Sequence, residues 1–145
     1  MQTRNQIRIA LPFVRVGELY TCRDLLPTWS PGFVSFELVS GEHGDLGTVY
    51  RQRYQAMGKQ IEELMTILSM DMPRGFHTMS SDPAGTMYRD TTVRFEAIDD
   101  GTTRITVHNQ FSGEKLPLLV HEDLQAYTQQ YLEIFRTFAE SRSDP

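Results

Sequence analysis

The residues of this 145-residue chain best suited to chemistry are Arg89 and Asn109, two strong hydrogen-bonding groups within segments that otherwise alternate. Arg89 shares one face of a predicted strand with Val93, and Asn109 shares one face of the next strand with Val107. A guanidinium is a fork of N–H donors, and a carboxamide both donates and accepts. Among apolar neighbours, such a pair would orient an oxygen-bearing ligand or stabilise negative charge developing on oxygen.

The connection at residues 99–101 sets how these two strands pair. A two-residue loop at 100–101 would pair odd positions with even ones, whereas directly paired side chains must lie on the same face of a sheet. A three-residue loop with its glycine in the left-handed conformation pairs Val93 with Val107 instead. We therefore predict the three-residue loop.

In that register Arg89 lies opposite Phe111 and diagonal to Asn109, so two polar groups interrupt one apolar face. A buried guanidinium needs a carboxylate, a water or an oxygen-rich ligand as its partner. Two plainer interpretations stay open. In the first, the methylene chain of Arg89 covers apolar surface near the end of the strand and its guanidinium lies in solvent. In the second, Asn109 is a buried amide whose hydrogen bonds are all made within the core.

A long C-terminal helix with an aromatic face is the clearest element of the chain. Apolar residues recur there at three- and four-residue steps: Leu124, Tyr127, Tyr131, Phe135 and Phe138. A concave partner must receive that face, and the alternating segments before it supply an antiparallel sheet. The predicted fold is therefore α+β: a curved antiparallel sheet of about seven strands wrapped around the helix, with two short helices after the first strand.

The other elements follow from alternation and turn residues. Further strands are predicted at 3–11, 33–39, 48–56, 60–70 and 76–81. Pro12 begins a short helix that runs to about Leu25, and Trp29 anchors the proline-rich turn that follows. The apolar centre of 60–70 lacks a clean period, so a helix is the rival interpretation there. Which faces of 60–70 and 76–81 turn inward stays open.

Composition limits the classes of protein. A chain of this length predicts one domain over residues 1–145. The formal net charge of −5 argues against a nucleic-acid partner, because nucleic-acid binding needs a basic surface. No segment has the roughly 20 apolar residues of a membrane span and no leader-like start is present, so a cytoplasmic protein is expected.

Metal, cofactor and nucleophile chemistry is not indicated. The histidines are widely spaced, and none forms a ligand pair at a four-residue step: His43, His77, His108 and His121. We expect them on solvated surface, although His77 would border a cavity if its strand face turned inward. Cys22 is the single cysteine, which excludes an internal disulfide, and no histidine is evident as its partner. No metal site and no cofactor are predicted.

Several segments occur in a characteristic order along nearly the whole chain. They are the opening strand followed by Pro12, the stretch Asp24-Leu25-Leu26-Pro27-Thr28-Trp29, the turn Met70-Asp71-Met72-Pro73, and the strand Gly101-Thr102-Thr103-Arg104-Ile105-Thr106-Val107 before the long helix. This order resembles the START-like helix-grip (SRPBCC) superfamily, specifically its polyketide cyclase/dehydrase-like branch. The resemblance implies a deep cavity between sheet and C-terminal helix that holds a hydrophobic small molecule. It matches no catalytic signature.

We predict that side chains from the sheet and from the helix line this cavity and bind the ligand. They are Tyr50, Tyr54, Met87, Arg89, Val107 and Asn109 from the sheet, and Tyr127, Tyr131 and Phe135 from the helix.

Two functions fit such a lining. The first is a carrier or sensor of a lipid or other hydrophobic small molecule, in which Arg89 or Asn109 orients a polar end. The second is a cyclase-like enzyme in which Arg89, helped by Tyr50 or Tyr131, stabilises an enolate or alkoxide. We favour binding because the predicted interior offers no histidine or carboxylate for proton transfer; whether the protein is an enzyme stays open.

The sequence also bears on two kinds of protein partner. An adaptor would need an exposed apolar patch outside the cavity, and the sequence does not reveal one. An exposed edge of the opening strand would allow two copies to pair as a homodimer.

Overall fold

The computed structural model of the protein describes residues 1–142, which form one seven-stranded sheet with three α-helices. The strands are β1 (Gln2–Ile9), β2 (Phe33–Ser40), β3 (Val49–Ala56), β4 (Lys59–Asp71), β5 (Gly75–Ser81), β6 (Tyr88–Asp99) and β7 (Thr102–Ser112). The helices are α1 (Phe13–Thr21), α2 (Leu26–Trp29) and α3 (His121–Ser141). The end of the predicted domain, at 143–145, lies outside the described residues.

Every neighbouring pair of strands is antiparallel, in the order β1-β7-β6-β5-β4-β3-β2. The sheet curves around α3, and α1 and α2 follow β1, so the predicted α+β helix-grip architecture is confirmed. The region 60–70 is a strand, so the rival interpretation as a helix is wrong.

The β6–β7 pairing has the predicted register, but its turn differs. Val93 pairs with Val107, as expected. The connection is the two-residue turn 100–101, whose glycine is not left-handed, and a bulge between Ala97 and Asp99 restores the same-face pairing. The predicted three-residue loop is therefore wrong, because the extra residue lies in the strand instead of the loop.

Strand β4 shows which of its faces turns inward. Ile61, Met65 and Ile67 line the interior, so strict alternation puts Glu63 on the same face. A bulge between Ile67 and Ser69 then shifts the alternation by one residue. This bulge explains why the sequence of the segment lacks a clean period.

Helix α3 is fastened to the outer edge of β1 by three side chains, each of which reaches a strand carbonyl. His121 Nε2 lies 2.9 Å from Gln2 O, Gln125 Nε2 lies 2.6 Å from Arg4 O, and Gln129 Nε2 lies 3.3 Å from Gln6 O. Four helical residues rise about 6 Å and two strand residues rise about 6.6 Å. A contact at every fourth residue of α3 therefore matches every second residue of β1. The β1 edge, expected to be exposed, is instead covered by α3. The homodimer stays a prediction.

The C-terminal half of α3 packs into a solid aromatic core. Phe135 and Leu132 are fully buried there. The Phe135 ring centroid lies 4.8 Å from that of Trp29 and 5.0 Å from that of Tyr20. Trp29, at the end of α2, is itself only 4% exposed, so it anchors the α1–α2 segment beneath the helix as predicted.

Candidate functional site

A cavity of about 500 Å³ lies between the concave face of the sheet and the N-terminal half of α3. Most of its wall is apolar. Seven of the side chains predicted to line it do so: Tyr50, Tyr54, Arg89, Val107, Asn109, Tyr127 and Tyr131.

The remaining two predicted lining residues, Met87 and Phe135, do not belong to the cavity wall. Met87 precedes β6 and lies in a turn in which Asp82 Oδ1 accepts hydrogen bonds from the backbone N–H groups of Met87 and Thr86, at 3.0 and 2.7 Å. Phe135 contributes to the solid core next to Trp29 instead. Strand alternation and helix periodicity predicted that both side chains turn inward, but neither pattern says what fills the space opposite.

Arg89 is held at the cavity wall by a carboxylate that the sequence analysis did not place in the interior. Arg89 Nη2 donates to Glu63 Oε1 at 3.1 Å, and Arg89 Nη1 donates to the Tyr54 hydroxyl at 3.3 Å. The same Glu63 oxygen accepts hydrogen bonds from the Tyr54 hydroxyl and from Gln52 Nε2, both at 2.9 Å. Ser80 Oγ lies 3.5 Å from Arg89 Nη2.

Four adjacent strands assemble this cluster, hereafter the Arg89 cluster (Gln52, Tyr54, Glu63, Ser80 and Arg89). Gln52 and Tyr54 lie on β3, and Glu63 lies on β4 directly opposite Gln52. Ser80 lies on β5 directly opposite Arg89 on β6. The interpretation with the Arg89 head in bulk solvent is therefore wrong, as is the expectation that the interior holds no carboxylate. The alternation of Ile61, Met65 and Ile67 was the sequence signal for Glu63.

Charges and protons in the cavity wall follow from burial and from these contacts. Burial opposes the charge of Arg89, but the carboxylate of Glu63 and the Tyr54 hydroxyl together outweigh it and raise the pKa of Arg89. Burial raises the pKa of Tyr131 to about 12 and also raises the pKa of Tyr54. At neutral pH, Arg89 is therefore a cation and both tyrosines keep their hydroxyl protons.

A second polar group interrupts the apolar wall on β6 and β7. Thr91 Oγ1 donates to Asn109 Oδ1 at 2.6 Å. The two residues pair directly across the strands, and Asn109 is only 5% exposed.

The β2–β3 loop forms part of the cavity rim. The Tyr50 hydroxyl accepts a hydrogen bond from the backbone N–H of Gly44 at 3.1 Å, and the Tyr50 ring stacks on His43 at a centroid distance of 5.7 Å. His43 is exposed, as expected, yet it also borders the cavity. His77 does not, because its Nε2 pairs with Asp90 Oδ1 at 2.7 Å on the convex side of the sheet.

Residues 1–142 contain neither a candidate metal site nor a helix that could span a membrane. No three His, Cys, Asp or Glu side chains there are grouped so that they could hold a metal ion. None of the helices there combines the length and the apolar character needed to cross a membrane.

Comparison with known proteins gives structural matches only. No model of a known protein family and no curated protein sequence matches the chain. The Zhui aromatase/cyclase from Streptomyces sp. R1128 superposes with a TM-score of 0.79 at 16% identity, over 99% of this chain and 96% of that one. A START superfamily protein from Mycobacterium smegmatis superposes with a TM-score of 0.75 at 12% identity, over 97% and 95% of the two chains.

A plant protein gives a similar result. The major latex-like protein 151 from Panax ginseng superposes with a TM-score of 0.79 at 13% identity, over 96% of this chain and 97% of that one. Identities this low leave the function open, since one fold hosts many functions. The three superpositions cover nearly the whole chain, so the protein shares the helix-grip α+β fold of these structures.

Proposed function

We propose that this protein binds a hydrophobic small molecule in the cavity and that Arg89 holds an uncharged oxygen of that molecule, such as a carbonyl or a hydroxyl. The observation that carries the proposal is an ion-paired guanidinium at the wall of an otherwise mostly apolar cavity of about 500 Å³. Small-molecule sites in proteins commonly combine apolar walls with a few fixed polar groups in cavities of about 300–1,000 Å³.

Arg89 keeps donor capacity for a ligand. Its contacts to Glu63, Tyr54 and Ser80 involve Nη1 and Nη2, and a guanidinium has further N–H groups beyond three. About a quarter of the Arg89 side chain is accessible (26%), and the residue lines the cavity. A ligand oxygen in the cavity therefore has unused donors to accept from.

The carboxylate of Glu63 determines which kind of oxygen suits the site. Glu63 is only 12% exposed and lies beside Arg89, so the pair carries no net charge. A ligand carboxylate bound at Arg89 would meet the negative charge of Glu63 in a poorly screened interior. A neutral carbonyl or hydroxyl oxygen meets no such repulsion, so uncharged ligands are favoured.

The proposal is tested with two rigid tricyclic probes of nearly equal size, anthracene and anthrone, of which only anthrone carries a carbonyl group. Binding is measured by equilibrium dialysis with wild-type protein and with the double variant Arg89→Met/Glu63→Gln, which removes both charges and leaves no charge unpaired. We expect the double variant to lose about 1.5–3 kcal/mol of anthrone binding, the range for a hydrogen bond to a charged group. Anthracene binding should stay the same.

The control is Arg74→Met/Asp71→Asn, which removes a solvent-exposed ion pair of 2.8 Å outside the cavity wall. It should bind both probes as the wild type does. Failure of both probes to bind the wild type, or equal anthrone affinity in the wild type and the Arg89→Met/Glu63→Gln variant, would overturn the proposal. Native mass spectrometry of freshly purified protein complements the test, because a retained small molecule would identify the ligand class.

A cyclase-like enzyme is the second candidate, and the Arg89 cluster is the observation that favours it. The guanidinium of Arg89 has N–H donors that would stabilise an enolate oxygen, and Glu63 supplies the interior carboxylate that proton transfer requires. Binding remains the first candidate because one Glu63 oxygen already accepts three hydrogen bonds and holds Arg89 in place. Mass spectrometry of a ligand recovered after prolonged incubation separates the two, since only an enzyme alters it.

A further inference from the structure

We infer that the cavity holds a second acceptor oxygen of the ligand at Asn109, so that the bound molecule carries two such oxygens, one at Arg89 and one at Asn109. The inference rests on the proposed function, because it assigns a further chemical feature to the same ligand. It makes Asn109 a residue that determines ligand specificity.

The orientation of the Asn109 carboxamide is the first step. Its Oδ1 accepts a hydrogen bond from Thr91 Oγ1 at 2.6 Å, so its Nδ2 must point elsewhere. Asn109 lines the cavity although it is 95% buried, that is, 5% exposed. Within residues 1–142, the structure gives Nδ2 no hydrogen bond. An amide nitrogen with two N–H donors is thus left at the cavity wall.

The neighbouring strand gives independent support. Thr3 on β1 pairs directly with Asn109, and its Oγ1 is buried without a hydrogen-bond partner in the described chain. A carboxamide that served only the core would donate to this oxygen, because an unmet buried donor and an unmet buried acceptor each cost free energy. Asn109 instead accepts from Thr91, on the side away from Thr3. The remaining donors of Asn109 therefore suit a ligand.

The position of Asn109 relative to Arg89 sets the spacing of the two ligand oxygens. Arg89 pairs with Phe111 and Asn109 pairs with Thr91, so Arg89 and Asn109 are diagonal neighbours on one face, about 7–8 Å apart along the backbone. Both groups offer N–H donors to the cavity. The wall therefore favours ligands whose oxygens accept hydrogen bonds. Compact ring systems with two carbonyl groups belong to the ligand class that this wall selects, whereas molecules whose polar groups only donate do not.

The test adds a third probe, anthraquinone, which has two carbonyl groups on the same rigid frame as anthrone. The quantity of interest is the ratio of anthraquinone affinity to anthrone affinity. The variant is Thr91→Val/Asn109→Leu, which replaces both partners of the hydrogen bond by apolar groups and so leaves no buried partner unmet. We expect the ratio to fall at least fivefold in this variant.

The control is Thr92→Val/Gln110→Leu, a similar exchange at diagonal positions on the other face of the same two strands, and it should keep the wild-type ratio. An unchanged ratio in Thr91→Val/Asn109→Leu would overturn the inference. If anthrone binding still depends on Arg89 in that case, the proposed function stands and only the role of Asn109 fails. If anthrone binding does not depend on Arg89 either, both fail.

A measurement on the wild type needs no variant to fold. The side-chain amide resonance of Asn109 is followed by nitrogen-15 NMR during titration with each probe. We expect anthraquinone to shift this resonance by more than anthracene does, because only a carbonyl accepts a hydrogen bond from Nδ2. Equal shifts with anthracene and anthraquinone would overturn the inference.

Discussion

The two halves of α3 face interiors of opposite character, although both halves present aromatic side chains. Beneath the C-terminal half, Phe135 and Leu132 are fully buried in a solid core. Beneath the N-terminal half, Tyr127 and Tyr131 face a cavity of about 500 Å³. The difference lies in what is opposite: the α1–α2 segment inserts Trp29 beneath the C-terminal half, next to Phe135.

The attachment of α3 to β1 explains why the cavity does not close. Among the strands, α3 contacts β1 most, through carbonyl contacts that begin at His121 and continue through Gln129. A helix fixed at one edge of a curved sheet cannot settle onto the far strands, so β3 and β4 line open space. The comparison shows that an aromatic stripe reports burial of a helix face, whereas the filling beneath it depends on other elements.

The largest expected effect is a difference in the free energy of unfolding between alanine variants in the two halves of α3. Phe135→Ala should lower the free energy of unfolding by about 3–5 kcal/mol, because it opens a void in a packed core. Tyr127→Ala should lower the free energy of unfolding by clearly less, because the ring that it removes already borders the cavity. Both values come from urea denaturation with a fixed m-value. Equal losses for the two variants would contradict the contrast between a solid and a hollow half.

The next effect concerns the charge pair at the cavity wall. Arg89→Met alone should cost about 2–3 kcal/mol of stability, because it leaves the carboxylate of Glu63 unpaired in a site that is 12% exposed. The cost lies below that of a fully desolvated pair, since Gln52 and Tyr54 still donate to Glu63. Adding Glu63→Gln should restore most of the loss in the same denaturation measurement. If Arg89→Met/Glu63→Gln is no more stable than Arg89→Met, the stability loss does not come from the unpaired Glu63 carboxylate.

The sequence predicts the scaffold better than the contents of the interior, for physical reasons. Alternation and same-face pairing suffice for the β6–β7 register, because a slip by one residue would turn Val93 out of the core. Glu63 was missed because the bulge after Ile67 hides the period of β4. Phe135 was misassigned because helix periodicity shows which face is buried and contains no information on Trp29, about a hundred residues away in the chain.

The pH dependence of stability sharpens the description of the hollow half. Burial raises the pKa of Tyr131 from its ordinary value of 10.0 to about 12. Below pH 10 the Tyr131 hydroxyl is protonated in both the folded and the unfolded protein. Above pH 10 it loses its proton first in the unfolded chain. The free energy of unfolding therefore falls as the pH rises from about 10 to about 12. Tyr131→Phe should make this fall shallower, by up to about 2 kcal/mol at the upper end. Parallel curves for the variant and the wild type in urea titrations would contradict burial of the hydroxyl.

The smallest expected effect tests which ligands the hollow half accepts. Glu63→Gln keeps the shape and the acceptor oxygen of the side chain but removes its charge, so Arg89 becomes an unneutralised cation at the cavity wall. With 1-decanol and decanoate as matched probes in equilibrium dialysis, the ratio of decanoate affinity to decanol affinity should rise about tenfold, which corresponds to about 1.4 kcal/mol.

Glu96→Gln is the control for this last change, because it removes the same charge from an exposed position of β6 outside the cavity wall. Loss of the Glu96 charge should leave the ratio as in the wild type. A rise in both variants would trace the preference to the net charge of the protein instead of the cavity. A rise in Glu63→Gln alone means that the carboxylate beside Arg89 keeps anionic ligands out, and that a single buried charge sets the ligand class in the half of the interior that packing leaves open.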